Sequence, residues 1–265
     1  MRLRSATPLF LIDRPFGSQS HLLRPASDAA SPPRNRACAH SYRWDEVLDD
    51  WAHFIEFATG RANKAVQAAY PIGTGKPGEH IKLFVAGNSF GAMLTLHTLM
   101  RRKEALEAVE PDGVILVAPF IDVPRPLILK IQESLAPVLS ALVPRVRLVE
   151  SALPAVLSKD PEVVASYVAD PLTIKDKIFI RPGYLMGLAT YWLKDHQSEF
   201  SYPLLAIHGD EDKCTSFPHS AAFVEGCSSK DKTWAPIKGG AHLLLHGEEK
   251  EQVVQAIVSW IAQRA

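Results

Sequence analysis

The sequence predicts an α/β fold, a mostly parallel sheet flanked by helices with a helical cap inserted into it. Three observations carry that expectation. Short apolar runs, Ile81 to Val85, Gly113 to Pro119 and Pro203 to Gly209, are bounded by turn residues and read as strands buried on both faces. Between the first two, Met93, Leu96, Leu99 and Met100 recur at helical spacing, so the chain reads strand, helix, strand, a crossover that joins parallel neighbours. Across 265 residues the hydrophobic content is 47%, enough to core one large domain.

Taken in order, Leu9 to Ile12 is a short apolar strand that ends at Asp13. Gln19 to Ala39 is polar and proline-rich and reads as a surface loop. Trp44 to Thr59 is an amphipathic helix with Val47, Trp51, Phe54, Ile55 and Ala58 on one face. Asp45, Glu46, Asp49 and Asp50 crowd its first turns, where the helix dipole favours anions. Arg61 to Glu79 is a loop with glycine and proline. The helix from Ala92 to Val109 follows the first long strand. Lys232 to Ile237 is a further strand, and Val253 to Ala262 a terminal helix with Val254, Ile257, Val258 and Ile261 on one face. There is no internal repeat. Residues 1–265 read as a single domain.

The strand rhythm breaks over residues 121–197, which read as a cap or lid insertion. The stretch is rich in proline (Pro124, Pro126, Pro137, Pro144, Pro154), and Leu127, Ile128, Ile131, Leu135, Val138, Leu139 and Leu142 make a broad apolar face. That face either packs on the sheet or belongs to a lid that meets acyl chains or a membrane surface.

Lys+Arg and Asp+Glu both number 29, so no basic field exists to attract nucleic acid. Cys38, Cys214 and Cys227 are odd in number and irregularly spaced, which argues against a disulfide framework and for a reducing compartment. The apolar run Pro8 to Ile12 is too short for a signal-peptide core, and no run approaches the length of a membrane span. A cytoplasmic location follows as the expectation, with peripheral membrane contact through the cap. Histidines and cysteines lack ligand spacing, so no metal is expected, and no cofactor. The oligomeric state is left open.

The chemistry gathers on Gly87-Asn88-Ser89-Phe90-Gly91, a G-x-S-x-G pattern between an apolar strand and a helix. That context makes it a nucleophile elbow: a tight turn lifts the Ser89 hydroxyl clear of the sheet, and the following helix directs its dipole at any negative charge forming there. The amide of Phe90 is then an oxyanion donor. A nucleophile needs a base and an acid. Asp210 and Asp212 follow a strand's carboxyl end, on the rim where ligands bind in open α/β sheets, and His242 sits in a loop after the next strand. Ser89, Asp212, His242 is the chain order expected of such a site. On spacing alone, Asp210 competes with Asp212, and His208 or His246 with His242.

The elbow, IHGDEDKCT, the SSKDKTW strand and GGAHLLLH together resemble the α/β-hydrolase superfamily, most closely its monoacylglycerol lipase-like branch, also grouped with serine aminopeptidases (S33, Hydrolase_4). Val117 to Pro119 and Asp170-Pro171-Leu172 are similar to this branch too. The resemblance matches Asp212 to the family acid and His242 to the family base. It implies hydrolysis of a carboxylic ester, a monoglyceride or another lipid acyl ester, by way of an acyl-enzyme. Cleavage of short esters, acyl transfer, or ligand binding without turnover are the alternatives. Dehalogenase and epoxide hydrolase relatives carry a carboxylate at the elbow, and Ser89 excludes them.

Two departures from the family pattern create expectations. Asn88 stands where the branch usually has His, Glu or Trp, a position with no chemistry of its own. The chain also opens late: Leu9 to Ile12 with the Asp13 to Gly17 turn resembles the family's fourth strand, and the preceding strand, whose His-Gly loop donates a second oxyanion amide, has no counterpart. The N-terminal part of the sheet is therefore expected to be incomplete. Ladder groups would be left unpaired on the elbow strand unless Ser18 to Ala39 rebuilds that edge.

Overall fold

A computed structural model describes residues 9–12, 43–58, 82–104, 106, 110–171, 173 and 177–264. Five strands form one parallel sheet: β1 (Leu9–Ile12), β2 (Phe84–Asn88), β3 (Gly113–Val117), β6 (Leu204–Gly209) and β7 (Lys232–Ile237), side by side in that order. Helix α1 (Trp44–Ala58) precedes β2, α2 (Phe90–Arg101) follows it, α7 (Phe217–Gly226) joins β6 to β7, and α8 (Lys250–Ala262) closes the chain.

The central strands are apolar throughout because each face meets a different core. Val85, Val114, Leu116, Leu204 and Ala206 point into one cluster, with Leu48 and Trp51 of α1 and Met93, Leu96 and Leu99 of α2. Their neighbours Phe84, Ala86, Ile115, Val117, Leu205 and Ile207 point into the other, against Val253, Ile257 and Trp260 of α8. The period of two therefore sorts side chains between two buried layers instead of between core and water.

The elbow strand is not an edge. β1 pairs with β2 in parallel, Leu9 opposite Phe84 through Ile12 opposite Gly87, and β3 pairs along its other side. This corrects the expectation of unpaired ladder groups. A backbone ladder is blind to side-chain identity, so a four-residue apolar strand can occupy the place beside β2. The Ser18 to Ala39 loop lies outside the described residues.

Two helices are rotated from their expected faces. On α8 the buried residues are Val253, Ile257 and Trp260, while Val254 and Val258 are 43% and 45% exposed. The largest side chain sets the rotation: the Trp260 ring packs edge-on to Phe84 at 5.9 Å and lies where a Cβ at Gly113 would come within 2.5 Å of it. On α1, Trp44, Leu48, Trp51, Ala52 and Ile55 are buried and Val47 only partly so. The acidic first turns pair with the end of α2, Asp45 and Asp49 accepting from Arg102 at 2.9 and 2.6 Å.

Residues 121–197 leave the sheet between β3 and β6. They hold α3 (Leu127–Leu142), β4 (Arg147–Val149), α4 (Pro154–Leu157), α5 (Pro161–Ala169), β5 (Ile178–Phe179) and α6 (Ile180–His196), with β4 and β5 antiparallel. The apolar row of α3 does not pack on the sheet. Leu127 and Leu142 are each 74% exposed, and Ile128, Ile131, Leu135 and Val138 about half or more. α6 instead sends Ala189 and Leu193 into the main core. Among the described residues no helix is long and apolar enough to cross a membrane.

Candidate active site

Ser89 sits between β2 and α2 with φ 51° and ψ −118°, left-handed backbone that a non-glycine residue rarely adopts and that costs roughly 1–3 kcal/mol. The sheet and its rim hold it there. Its amide donates to the Val117 carbonyl at 2.9 Å, and its own carbonyl accepts from Ala92 at 3.0 Å and Phe120 at 3.1 Å. Gly87 is required by the close approach of the new helix: a Cβ there would lie 2.6 Å from the Ala92 Cα and 2.7 Å from the Gly91 oxygen. Phe90 is the first residue of α2, so its amide belongs to the end of the helix where positive potential collects.

The loop after β7 brings His242 to Ser89. His242 Nε2 lies 2.9 Å from Ser89 Oγ, and its Nδ1 lies 2.7 Å from Asp212 Oδ2. The loop is fixed by backbone bonds on either side of the imidazole: Leu243 donates to the Leu157 carbonyl at 2.8 Å, and Gly240 accepts from the Glu211 amide at 3.1 Å. Gly209, at the end of β6, faces this loop so closely that a Cβ would meet the Gly240 oxygen at 2.2 Å.

Asp212 is held by its own turn. Oδ1 accepts the amides of Cys214 and Thr215 at 2.7 and 3.0 Å, a local side-chain turn. Oδ2 takes the Thr215 hydroxyl at 2.8 Å and His208 Nε2 at 3.0 Å besides His242. Burial opposes the charge, but the bonds from His208, His242 and the Thr215 backbone outweigh it and keep the carboxyl well below the usual carboxylate range. For His242 burial again disfavours the charge; the Cys214 side chain and Asp212 outweigh it and hold the imidazolium above its ordinary value of 6.5.

Ser89, Asp212 and His242 converge. Asp210 is used elsewhere, accepting the Gly239 amide at 2.6 Å, and His208 lies behind Asp212, not in front of Ser89. His246 is four residues on, along the cavity wall. Thr215 and the contact of His208 with Asp212 were not read from the sequence. The available signal was a hydroxyl three residues beyond a loop aspartate, the spacing of such a turn. Ala118, with φ 42°, is a second strained residue beside the elbow; its amide donates to Ile207 at 2.8 Å and so turns the chain toward Phe120.

Above the three residues lies a cavity of about 1950 Å³. Asn88, Ser89, Phe90 and His242 reach its floor, and Leu139, Leu157, Ile180 and Met186 are among its walls. A hydroxyl with an imidazole at hydrogen-bond distance, a carboxylate behind the imidazole and a helix start beside them are parts that nucleophilic acyl transfer can use.

A serine on a strand–helix turn of a parallel sheet, with residues from two later strand ends converging on it, defines the α/β-hydrolase class. Within that class the chain belongs to the Hydrolase_4 family, described as serine aminopeptidase, S33, whose profile matches residues 31–250. It is 31% identical over 182 residues to an uncharacterized abhydrolase domain-containing protein of Dictyostelium discoideum, covering 68% of this chain and 19% of that protein. It is 31% identical over 131 residues to a monoacylglycerol lipase of Mycolicibacterium smegmatis, covering 48% of this chain and 45% of that protein. The matches thus span less than half the length of either relative. Among solved structures, the Paleococcus ferrophilus monoacylglycerol lipase superposes with a TM-score of 0.66 at 24% identity, covering 84% of this chain and 76% of that one. A soluble variant of the Saccharomyces cerevisiae monoglyceride lipase, in complex with a substrate analog, gives 0.66 at 21% identity, covering 89% and 74%. These likenesses carry the fold.

Proposed function

We propose that the protein is a serine ester hydrolase that cleaves acyl esters of lipids, monoglycerides foremost, with Ser89 as nucleophile, His242 as general base and Asp212 as the acid that orients it. The observation that carries the reading is the 2.9 Å approach of His242 Nε2 to Ser89 Oγ with Asp212 behind it, beneath a cavity walled by leucine, isoleucine and methionine. Neutral His242 takes the Ser89 proton as Oγ attacks the ester carbonyl, and Asp212 stabilises the imidazolium that results. The oxyanion forms at the start of α2, where the Phe90 amide is a donor. His242 then protonates the leaving alcohol, and water releases the acyl group by the same steps in reverse roles. Residues 121–197 act as the cap, and the exposed row on α3 is the surface through which it meets a lipid interface.

A fluorophosphonate probe tests the reading directly. It should label the protein, and Ser89→Ala should abolish labelling; labelling that persists in the variant removes Ser89 from the chemistry. A p-nitrophenyl ester series then separates substrate classes. A kcat/KM that rises with acyl length supports a lipid substrate, and a maximum at acetate or butyrate replaces it with a short-chain esterase.

A further inference from the structure

Behind the proposed triad lies a second imidazole that the acyl-transfer chemistry does not call for. His208, near the end of β6, is fully buried, as is the carboxylate of Asp212 beside it. Its Nε2 meets Asp212 Oδ2 at 3.0 Å, the same oxygen that His242 Nδ1 meets at 2.7 Å. The Thr215 oxygen stands between them, 2.8 Å from Oδ2, 3.2 Å from His208 Nε2 and 3.4 Å from His242 Nδ1. The other nitrogen of His208, Nδ1, is buried with no hydrogen-bond partner among the described residues. Phe217 and Trp234 wall the ring edge-on at 5.8 and 6.4 Å.

The chemistry of these atoms sets the proton positions. Oδ2 belongs to an ionised carboxylate, so every group on it must donate. His208 therefore carries its proton on Nε2. His208 thus donates from Nε2 to the oxygen that His242 also meets.

We propose that His208 is a positioning residue for the hydrolysis: through its Nε2–H it fixes the Asp212 carboxylate and divides the charge of Oδ2 between two imidazoles, which sets how strongly Asp212 supports protonated His242. This rests on the reading of Ser89, Asp212 and His242 as a triad. The titratable groups at the cluster are Asp212, His242 and Cys214. Without the His208 donor, Oδ2 offers more charge to His242 Nδ1–H. The base then holds its proton to higher pH, while the carboxylate loses one of the contacts that aim it.

The test compares the wild type with His208→Leu and with His208→Gln, whose side-chain amide can reach the same oxygen. Wild-type fluorophosphonate labelling of Ser89 comes first, because its absence would overturn the triad and leave nothing to position. Given labelling, His208→Leu should lower kcat by about tenfold or more with KM nearly unchanged, and should move the acid limb of kcat/KM upward by about half a pH unit. His208→Gln should restore most of both. An acid limb that stays in place in His208→Leu, or a Gln variant no better than Leu, overturns the proposal. Nitrogen-15 NMR of the wild type needs no variant to fold: a proton on Nε2 of His208 that couples to the Asp212 carboxylate supports it, and the reverse tautomer refutes it.

Discussion

A single methyl group at Gly209 should disable the site without touching any of its reacting atoms. Gly209 ends β6 with its Cα against the His242 loop, and an added Cβ would lie 2.2 Å from the Gly240 oxygen, 2.5 Å from its carbon and 2.7 Å from the Ala241 oxygen. All three are backbone atoms, so no rotamer change relieves the overlap and the loop must retreat by roughly 1 Å to recover ordinary contact. That loop carries His242, which now sits 2.9 Å from Ser89 Oγ and 2.7 Å from Asp212. A displacement of about 1 Å at a reacting group costs on the order of a hundredfold in rate, and overpacking of this kind costs about 1–3 kcal/mol in stability. Gly209→Ala should therefore reduce kcat on a p-nitrophenyl ester about a hundredfold, slow fluorophosphonate labelling in parallel, and still melt cooperatively. Gly187→Ala is the matched control: a Cβ there meets nothing within 4 Å in the interior of α6 and should be neutral or stabilising by up to about 1 kcal/mol. A Gly209→Ala enzyme with wild-type kcat would refute the claim that loop position governs the base.

Four other outcomes follow from the structure. Burial, with the charge of Arg101, lowers His97 from 6.5 to about 3 against the bond from its Nε2 to the Ala189 carbonyl; the unfolded chain therefore takes up the proton first, and stability complete above pH 6.5 falls as pH drops toward 3, by roughly 4–5 kcal/mol in all. Urea unfolding at pH 7 and at pH 4.5 should show a smaller difference in His97→Gln than in the wild type, and an equal difference contradicts the assignment. In the proposed mechanism His242 must be neutral to act, and it is held above 6.5, so kcat/KM should still be rising with pH at neutrality; an acid limb below 6 would be inconsistent with that environment. Trp260→Ala should cost about 3–5 kcal/mol, whereas Val258→Lys on the exposed side of α8 should stay within about 0.5 kcal/mol by denaturant midpoint; equal costs would place the buried face wrongly. Ile131→Glu with Leu135→Glu should weaken co-sedimentation with phosphatidylcholine vesicles and leave hydrolysis of a soluble short ester intact, and unchanged sedimentation would remove α3 from any lipid contact.

The sequence made the central strands legible because Val114 to Val117 and Leu204 to Ile207 are apolar at every position, a pattern with few other readings. Ser89 was legible through the glycines that its turn requires. The face of α8 was not, since periodicity alone allows Val254 and Val258 as readily as Val253 and Trp260, and the choice falls to a tryptophan ring that needs the space above Gly113. Asp212 and Asp210 were indistinguishable by local sequence, because what separates them is a backbone amide, Gly239, donated from a distant loop. His208 looked like a rival base, and only the direction of its ring reveals a supporting contact. The partner of the elbow strand escaped notice for a different reason: pairing through the main chain leaves no mark in residue identity.

The segment between β3 and β6 is tied to the rest of the fold at its two ends and at its middle, where the Leu157 carbonyl accepts the Leu243 amide at 2.8 Å and Lys159 pairs with Glu211 at 2.8 Å. At its start Ile121 is buried and the Asp122 carbonyl accepts the Ser216 amide at 2.9 Å; at its end Ala189 and Leu193 are locked into the main core. Arg125 bridges these ends, bonded to Asp122, to Glu133 at 2.9 Å and to Thr190 at 2.9 Å. Substitutions on the exposed row of α3 can change the face this segment presents, whereas a change that shifts Leu157 also shifts the loop that carries His242.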